Sequence, residues 1–508
     1  MKELLLGIDI GTSSCKVAAF TADGKVAASA TEDYPVYYPQ TGWAEQNPED
    51  WWEGIAAAIR KILETPGIAP ENIAGIGLDG QSWSAVAVDS EGQVLLPTPI
   101  WMDTRSNEIC RQLNEKIGAE KIFSVAGNPL QPMYTTPKVI WYERTHPEAY
   151  ARIDKILQSN GFLVYRLTGA VTQDLSQGYG WHCFDMKKGC WDMAMAKELG
   201  IPERFLPEIV PCDCVVGYVT AQAAAKTGLL EGTPVVAGGL DACCGTLGAG
   251  VHEPGQTQEQ GGQAGGMSIC MDQYHADPRL ILGYHVVPGR WLLQGGTTGG
   301  GGAMRWFEQE FGEGERLLAK QLNMSSLDQM NQAAKEIPAG SEGLVFLPYM
   351  SGERTPIWDP DAKGVFYGMD FTKKKGHFIR ALMEGVAYAL RHNLEVAESA
   401  GAKVDVLKAM GGSANSLLWT QIKADITGKK IEVPSSDTAT TWGACLLAGK
   451  GVGLFESYEK AIADTIATQR FHEPSKADAQ AYEKGYRTYR ALYEDLKELM
   501  HQKEKECV

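Results

Sequence analysis

The sequence predicts an α/β protein of two similar-sized domains, and three observations carry that prediction. Apolar strand patterns alternate with amphipathic helix patterns from Leu4 to Ile117. The same alternation returns from Leu344 onward. Between them, Pro254 to Gly266 is rich in Gly and Gln, which divides the chain into domains 1–253 and 254–508, the second with a helical extension from about residue 467.

In the first half, Leu4 to Ile8, Lys16 to Phe20 and Lys25 to Ala30 read as strands, the last two joined by an Asp23-Gly24 turn. A helix starts near Asn47, with Pro48 at its first position, Glu49 and Asp50 in its first turn, and Trp52, Ile55, Ala58 or Ile59, and Ile62 on one face. Ile73 to Leu78 is a buried strand, and a helix containing Ile109, Leu113 and Ile117 follows Arg105. Val235 to Gly239 is a short apolar strand that delivers Asp241 to a helix start of small residues.

In the second half, Leu344 to Pro348 is a strand, Lys375 to Ala400 contains a long helix, and Val404 to Ala409 is a strand ending at Gly411-Gly-Ser-Ala-Asn415. Helices follow through Trp419, Ile422 and Ile426 and from Asp437 to Leu447, with Gly449 near the stop. The tail is helical, with Ser475 and Asp478 placed for a capping box and a stripe of Ala479, Tyr482, Tyr486, Tyr489, Tyr493 and Leu496 that either packs on its own domain, the expected reading, or forms a partner surface.

Composition narrows the function. With 508 residues, 44% hydrophobic and 22% charged, the chain can bury a core without a metal or disulfide, and disorder is not expected. A net charge of -16 with no Lys/Arg-dense stripe argues against nucleic acid as a partner. An anionic ligand must then be held locally, by backbone N–H groups or a bound cation. No apolar run approaches the ~18 residues of a membrane span, and MKELLLGIDIG lacks the signal-peptide pattern, so a cytoplasmic protein without a membrane partner is expected. Eleven irregularly spaced cysteines, none as Cys-x-x-Cys, predict free thiols in a reducing compartment.

Four stretches carry candidate chemistry. In Gly7-Ile-Asp9-Ile-Gly11-Thr12-Ser13-Ser14, glycine admits a phosphate, hydroxyls and N–H groups donate to it, and a strand-end carboxylate can hold hydrated magnesium; Lys16 adds charge or points to solvent. Asp241 after Gly238-Gly239-Leu240 either caps the next helix or deprotonates a substrate hydroxyl. Gln81, Ser82 and Trp83 with Trp101, Asp103 and Arg105 combine hydroxyl-reading groups with indole faces suited to a polyol, a combination that ordinary cores also contain. Gly411, Gly412, Ser413, Ala414 and Asn415 form either a plain turn or room for a flat base. No stretch fits GxxxxGK[ST].

These stretches, in this order, resemble the FGGY carbohydrate kinase family, and most of all its xylulose kinases, over residues 4–450. Met133-Tyr-Thr-Thr-Pro-Lys138-Val-Ile-Trp141 and Gly364-Val-Phe-Tyr-Gly368 through Glu384 are similar to the family's two signatures, and Gly352-Glu-Arg354-Thr-Pro356 to a xylulose kinase segment. The resemblance implies the actin-like or hexokinase-like ATPase fold (ribonuclease H-like), an interdomain active-site cleft, ATP and Mg2+ as cofactors, a sugar or polyol substrate, and a homodimer. It implies that Asp241 is the catalytic base, that Asp9 and Asp241 flank the metal, and that Gly11, Thr12, Ser13 and Ser14 form a phosphate turn. Gly411 to Asn415 become the adenosine segment, and the Gln81 and Trp101 stretches face the sugar. Two stretches depart from the pattern. Trp83 stands at the histidine of the xylulose kinase Gly-Gln-Met-His-Gly, and the second phosphate turn, usually Leu-Gly-Thr-Ser-Gly, reads Gly261-Gly262-Gln263-Ala264-Gly265 and lacks both hydroxyls.

Overall fold

The computed structural model describes residues 3–435 and 438–502. In chain order, the first half supplies β1 (Leu4–Ile10), β2 (Ser14–Thr21), β3 (Val26–Asp33), α1 (Pro48–Leu63), β4 (Ile73–Gly80), β5 (Val215–Tyr218), β6 (Pro234–Val236), β7 (Gly239–Leu240) and α2 (Asp241–Gly248). The second supplies β8 (Gly255–Gly261), β9 (Gly265–Met271), β10 (Ile281–Tyr284), β11 (Trp291–Thr297), α3 (Gly301–Phe311), α4 (Lys375–Ser399), β12 (Val404–Met410), α5 (Leu417–Thr427), β13 (Lys430–Pro434), α6 (Ala439–Gly451), β14 (Thr468–His472) and α7 (Ala479–Met500).

Each half is organised by one seven-stranded mixed sheet. The first runs β5-β6-β4-β1-β2-β3, with β7 also on β4; the second runs β10-β11-β9-β8-β12-β13-β14. Their centres repeat one pattern. β1 and β2 form an antiparallel hairpin with β1 parallel to β4, and β8 and β9 form an antiparallel hairpin with β8 parallel to β12. In both sheets a hairpin turn and a parallel strand end therefore lie side by side.

The near-continuous apolar run of β1 follows from burial on both faces. On one face α1 lays down Trp51, Trp52, Ile55, Ile59 and Ile62, all buried, each contributing about 1.5–3 kcal/mol. Asn47 caps this helix by accepting from the Glu49 amide, and Pro48 follows it as read from the sequence. On the other face lies α6, a helix from the second half that is apolar around most of its circumference. It packs on β1, β4 and α2. The approach is so close that a side-chain carbon at Gly443 would stand 1.9 Å from the Cys244 carbonyl oxygen. Helices α2 and α6 thus join the two halves.

Several elements differ from the sequence reading. The helix through Ile117 is interrupted: Asn107–Leu113 passes into a π-helical turn, Asn114–Gly118, before Ala119–Ala126, with Gly118 at φ 98°. The strand expected at Val235 to Gly239 is split by Gly238 at φ 73°, where a Cβ would collide with the Leu78 carbonyl at 2.0 Å. The 475–478 capping box does not form. Ser475 Oγ accepts from the Ala477 amide, and α7 begins at Ala479 without a side-chain cap. Helix α6 starts at Ala439; Asp437, its expected start, lies outside the described residues. The tyrosine stripe packs inward: Tyr482, Tyr486 and Tyr489 are buried beside Tyr349 and Tyr388, and Tyr349 donates to Tyr489 at 2.8 Å.

Among the described residues, no helix is long and apolar enough to cross a membrane, and the ten described cysteines are free thiols.

Candidate active site

The carboxyl ends of β1, β4, β8 and β12 converge on a cleft of about 700 Å3 lined from both halves. The Gly11–Ser14 turn is closed by the Gly11 amide on the Ser14 carbonyl at 3.0 Å, and the Tyr34 hydroxyl donates to the Gly11 carbonyl at 2.6 Å. Trp101 Nε1 donates to Thr12 Oγ1 at 3.0 Å, tying this turn to the cleft wall. Opposite stands the Gly261–Gly265 turn, whose Gly262 and Gln263 carbonyls accept from the Gly301 and Gly302 amides at the start of α3.

Gly238 turns the chain so that Asp241 opens α2 at the cleft, with Asp241 Oδ1 accepting from the Ala242 amide at 2.6 Å. Burial, then the charge of Asp9, raise the Asp241 carboxyl to about 7, and the Ala242 N–H opposes the shift. Asp9 is also raised by burial, opposed by its hydrogen bond with Asp79 and by the charge of Lys16, its cross-strand neighbour. Asp79, in register beside Asp9, is fully buried, and burial together with the Asp9 and Asp241 charges pushes it well above the carboxylate range. Apart from the neighbouring Asp9 carboxyl, neither Asp79 oxygen has a hydrogen-bond partner.

Two carboxylates, Asp9 and Asp241, line the same cleft, an arrangement suited to a hydrated divalent cation. Among the described residues, no three His, Cys, Asp or Glu side chains could hold a metal unaided. Magnesium is typically held by one or two carboxylates, waters and substrate phosphates, and the set fits that mode.

Of the residues read from the sequence, Asp9, Gly11, Thr12, Ser82, Trp83, Trp101, Asp241, Gly262, Gly411, Gly412 and Asn415 line the cleft. Ser413 lines an adjoining cavity of about 530 Å3, with Asn415, Arg305, Asn331, Met383 and Trp419, and its hydroxyl accepts from the buried Lys423, which also pairs with Glu259 at 2.6 Å. The other residues point elsewhere. Gln81 is buried and donates to Gln46, which supports the Thr12 carbonyl. Asp103 accepts from the Ala44 amide and Arg105, and Arg105 also pairs with Glu45 and stacks on Trp43 at 3.8 Å, so this pair braces the wall instead of facing the cleft. Ala414 is buried, Ser13 and Gln263 are exposed, and Ser14 and Lys16 lie on β2 outside the cleft lining.

The sequence reading missed Arg354, Thr440, Gln258 and Gln260 in the cleft and Arg305 beside it. In Gly352-Glu-Arg354-Thr-Pro356 the sole local signal for a role is a charged pair amid turn residues. Gln258 and Gln260 lie on one face of β8, where the alternation of glutamines could have marked a polar face.

Duplicated sheets with facing hairpin turns over a shared cleft define an actin-like ATPase fold. Residues 4–248 match the model of the N-terminal domain of the FGGY family of carbohydrate kinases, and residues 272–452 that of its C-terminal domain. The chain is 30% identical to a xylulose kinase of Bacillus subtilis (strain 168) over 497 residues, 97% of each protein. It is 29% identical to a gluconokinase of the same organism over 503 residues, 98% of this chain and 96% of that one. The crystal structure of xylulose kinase from Rhodospirillum rubrum superposes with a TM-score of 0.89 at 29% identity, covering 98% of this chain and 100% of that one. This chain belongs to the FGGY family and is an ATP-dependent carbohydrate kinase.

Proposed function

We propose that the protein transfers the γ-phosphoryl group of ATP to D-xylulose, giving D-xylulose 5-phosphate. The observation that carries the mechanism is Asp241, raised to about 7 at the cleft that it shares with Asp9 and both hairpin turns. Asp241 accepts the proton of the attacking hydroxyl as that oxygen approaches phosphorus. The amides of the Gly11 and Gly262 turns cradle the phosphates, and the cavity beside Ser413 and Asn415 takes the adenosine. Asp9 and Asp241, both at the cleft, would hold Mg2+, which would neutralise phosphate charge there. Ser82, Trp83 and Trp101 face the sugar. The domain boundary falls at 253/254, between α2 and β8, and closure about α2 and α6 excludes water. The free cysteines fit a cytoplasmic enzyme, and a homodimer is the assembly proposed by family resemblance.

A second reading, a different ketopentose, a polyol or a sugar acid, is favoured by Trp83 at the family's histidine position and by gluconokinases among the relatives. The test is ADP formation with Mg-ATP across ketopentoses, polyols and sugar acids, with the product identified by mass spectrometry. Selectivity for D-xylulose supports the first reading; selectivity for another acceptor reassigns the substrate. Absence of acceptor-dependent turnover, despite ATP binding, would leave a sugar or nucleotide sensor.

A further inference from the structure

Arg354 is the one Lys or Arg side chain among the described residues that line the cleft. It follows Glu353, but the two do not pair. The buried Glu353 carboxylate is occupied by the Thr297 hydroxyl, the Thr298 amide at 3.0 Å and the Arg354 amide at 2.7 Å. Those bonds pin the 352–354 segment to the end of β11, which pairs with β9 at Gly265, the last residue of the hydroxyl-free turn. A side-chain carbon at Gly296 would lie 3.4 Å from an Arg354 guanidinium nitrogen and 2.6 Å from the Gly265 carbonyl oxygen. The guanidinium therefore sits at the base of that turn.

Among the described residues, no ion pair or hydrogen bond engages the guanidinium. Burial shifts its pKa downward, opposed by the charge of Glu353. Five donors held in a fork without an acceptor call for a planar or tetrahedral oxyanion. The neighbouring turn supplies none of the hydroxyls usual in its family: Ala264 has none, and Gln263 is exposed.

We propose that Arg354 binds the terminal phosphoryl group of the nucleotide from the C-terminal half and stabilises the charge that develops on it during transfer. The assignment rests on the kinase reading above. In the step, the bond between γ-phosphorus and the bridging oxygen of ADP breaks, the bond to the sugar oxygen forms, and the hydroxyl proton passes to Asp241. Arg354 makes no covalent bond. A guanidinium would also suit the carboxylate of a sugar acid, and the experiment separates the two sources.

The full-length Arg354→Met and Arg354→Lys proteins are compared with wild type by calorimetric titration with ADP and with the imido analogue of ATP, each with Mg2+, and by steady-state kinetics with D-xylulose and gluconate. For Arg354→Met, affinity for the imido analogue is expected to fall about tenfold or more, while ADP affinity stays within about twofold. Its kcat falls about a hundredfold or more, with sugar KM within about threefold. Arg354→Lys recovers part of kcat and, should the Met protein not fold, carries the test through its own preferential loss of the imido analogue. Equal effects on ADP and the imido analogue, or an unchanged kcat, overturn the assignment; a loss confined to gluconate KM transfers the residue to substrate recognition. A wild type without acceptor-dependent turnover instead sinks the kinase reading, so the two failures are distinguishable.

Discussion

Lys138 Nζ donates a hydrogen bond of 2.8 Å to the Trp83 carbonyl oxygen, while the Trp83 amide donates to Gln177 at 3.3 Å. Between them they hold Trp83 at φ 55°, a left-handed conformation costing about 1–3 kcal/mol for such a residue. The indole is wedged against Tyr134 and Tyr179, with ring centroids 4.5 and 5.5 Å away, on the wall assigned to the sugar. Lys138 itself is fully buried, which lowers its pKa to about 7.

Lys138→Met removes that clamp. Sugar KM is expected to rise about tenfold, the value of one buried hydrogen bond, with nucleotide affinity unchanged. Steady-state kinetics alongside ATP titration checks this; an unchanged sugar KM contradicts the clamp.

Trp83→His restores the family's residue at a position whose left-handed φ histidine tolerates better than most residues. Loss of the indole contacts should lower stability by about 2–3 kcal/mol, and the kcat/KM ratio between acceptors should shift about tenfold or more. Denaturant melts and a paired-acceptor assay measure both, and an unaltered ratio removes Trp83 from sugar recognition.

Gly443→Val places carbon where the Cys244 carbonyl already stands, prying α6 from α2. A loss of about 3 kcal/mol or more is expected. A melting temperature equal to wild type would show that the helices are not packed as described.

What was legible in the chain is what local pattern decides. Asp9 and Asp241 were readable because each ends a short buried apolar run, and the paired helix-and-strand halves because their periodicities are strong. Gln81, Asp103 and Arg105 were read toward the sugar because polar groups beside tryptophan have two uses, bracing and binding, that sequence does not separate. Only their partners, Gln46, Ala44 and Glu45, decide for bracing. Arg354 was missed for the converse reason: its place is set by Glu353 gripping Thr297 and Thr298 more than fifty positions away.

His182, His285 and His392 are buried, and desolvation lowers them to about 4, 4 and 3. Their folded pKa values lie below the unfolded value, so below about pH 6.5 the unfolded chain takes up protons that the native state refuses. Stability should therefore be retained above pH 6.5 and fall as pH drops toward 4, by up to about 1.4 kcal/mol per pH unit for each histidine. Chemical denaturation from pH 7 to 4 measures the slope, and His285→Asn should flatten it. A slope identical in that variant assigns the acid loss elsewhere.

The central claim is that Asp241 deprotonates the acceptor in a cleft completed by both halves. The most direct test is acceptor-dependent ADP release by wild type and Asp241→Asn, with ATP affinity measured on the same samples. The account predicts unchanged ATP affinity within about threefold and a turnover lower by about a hundredfold or more in the variant. Equal turnover in the two proteins would contradict it.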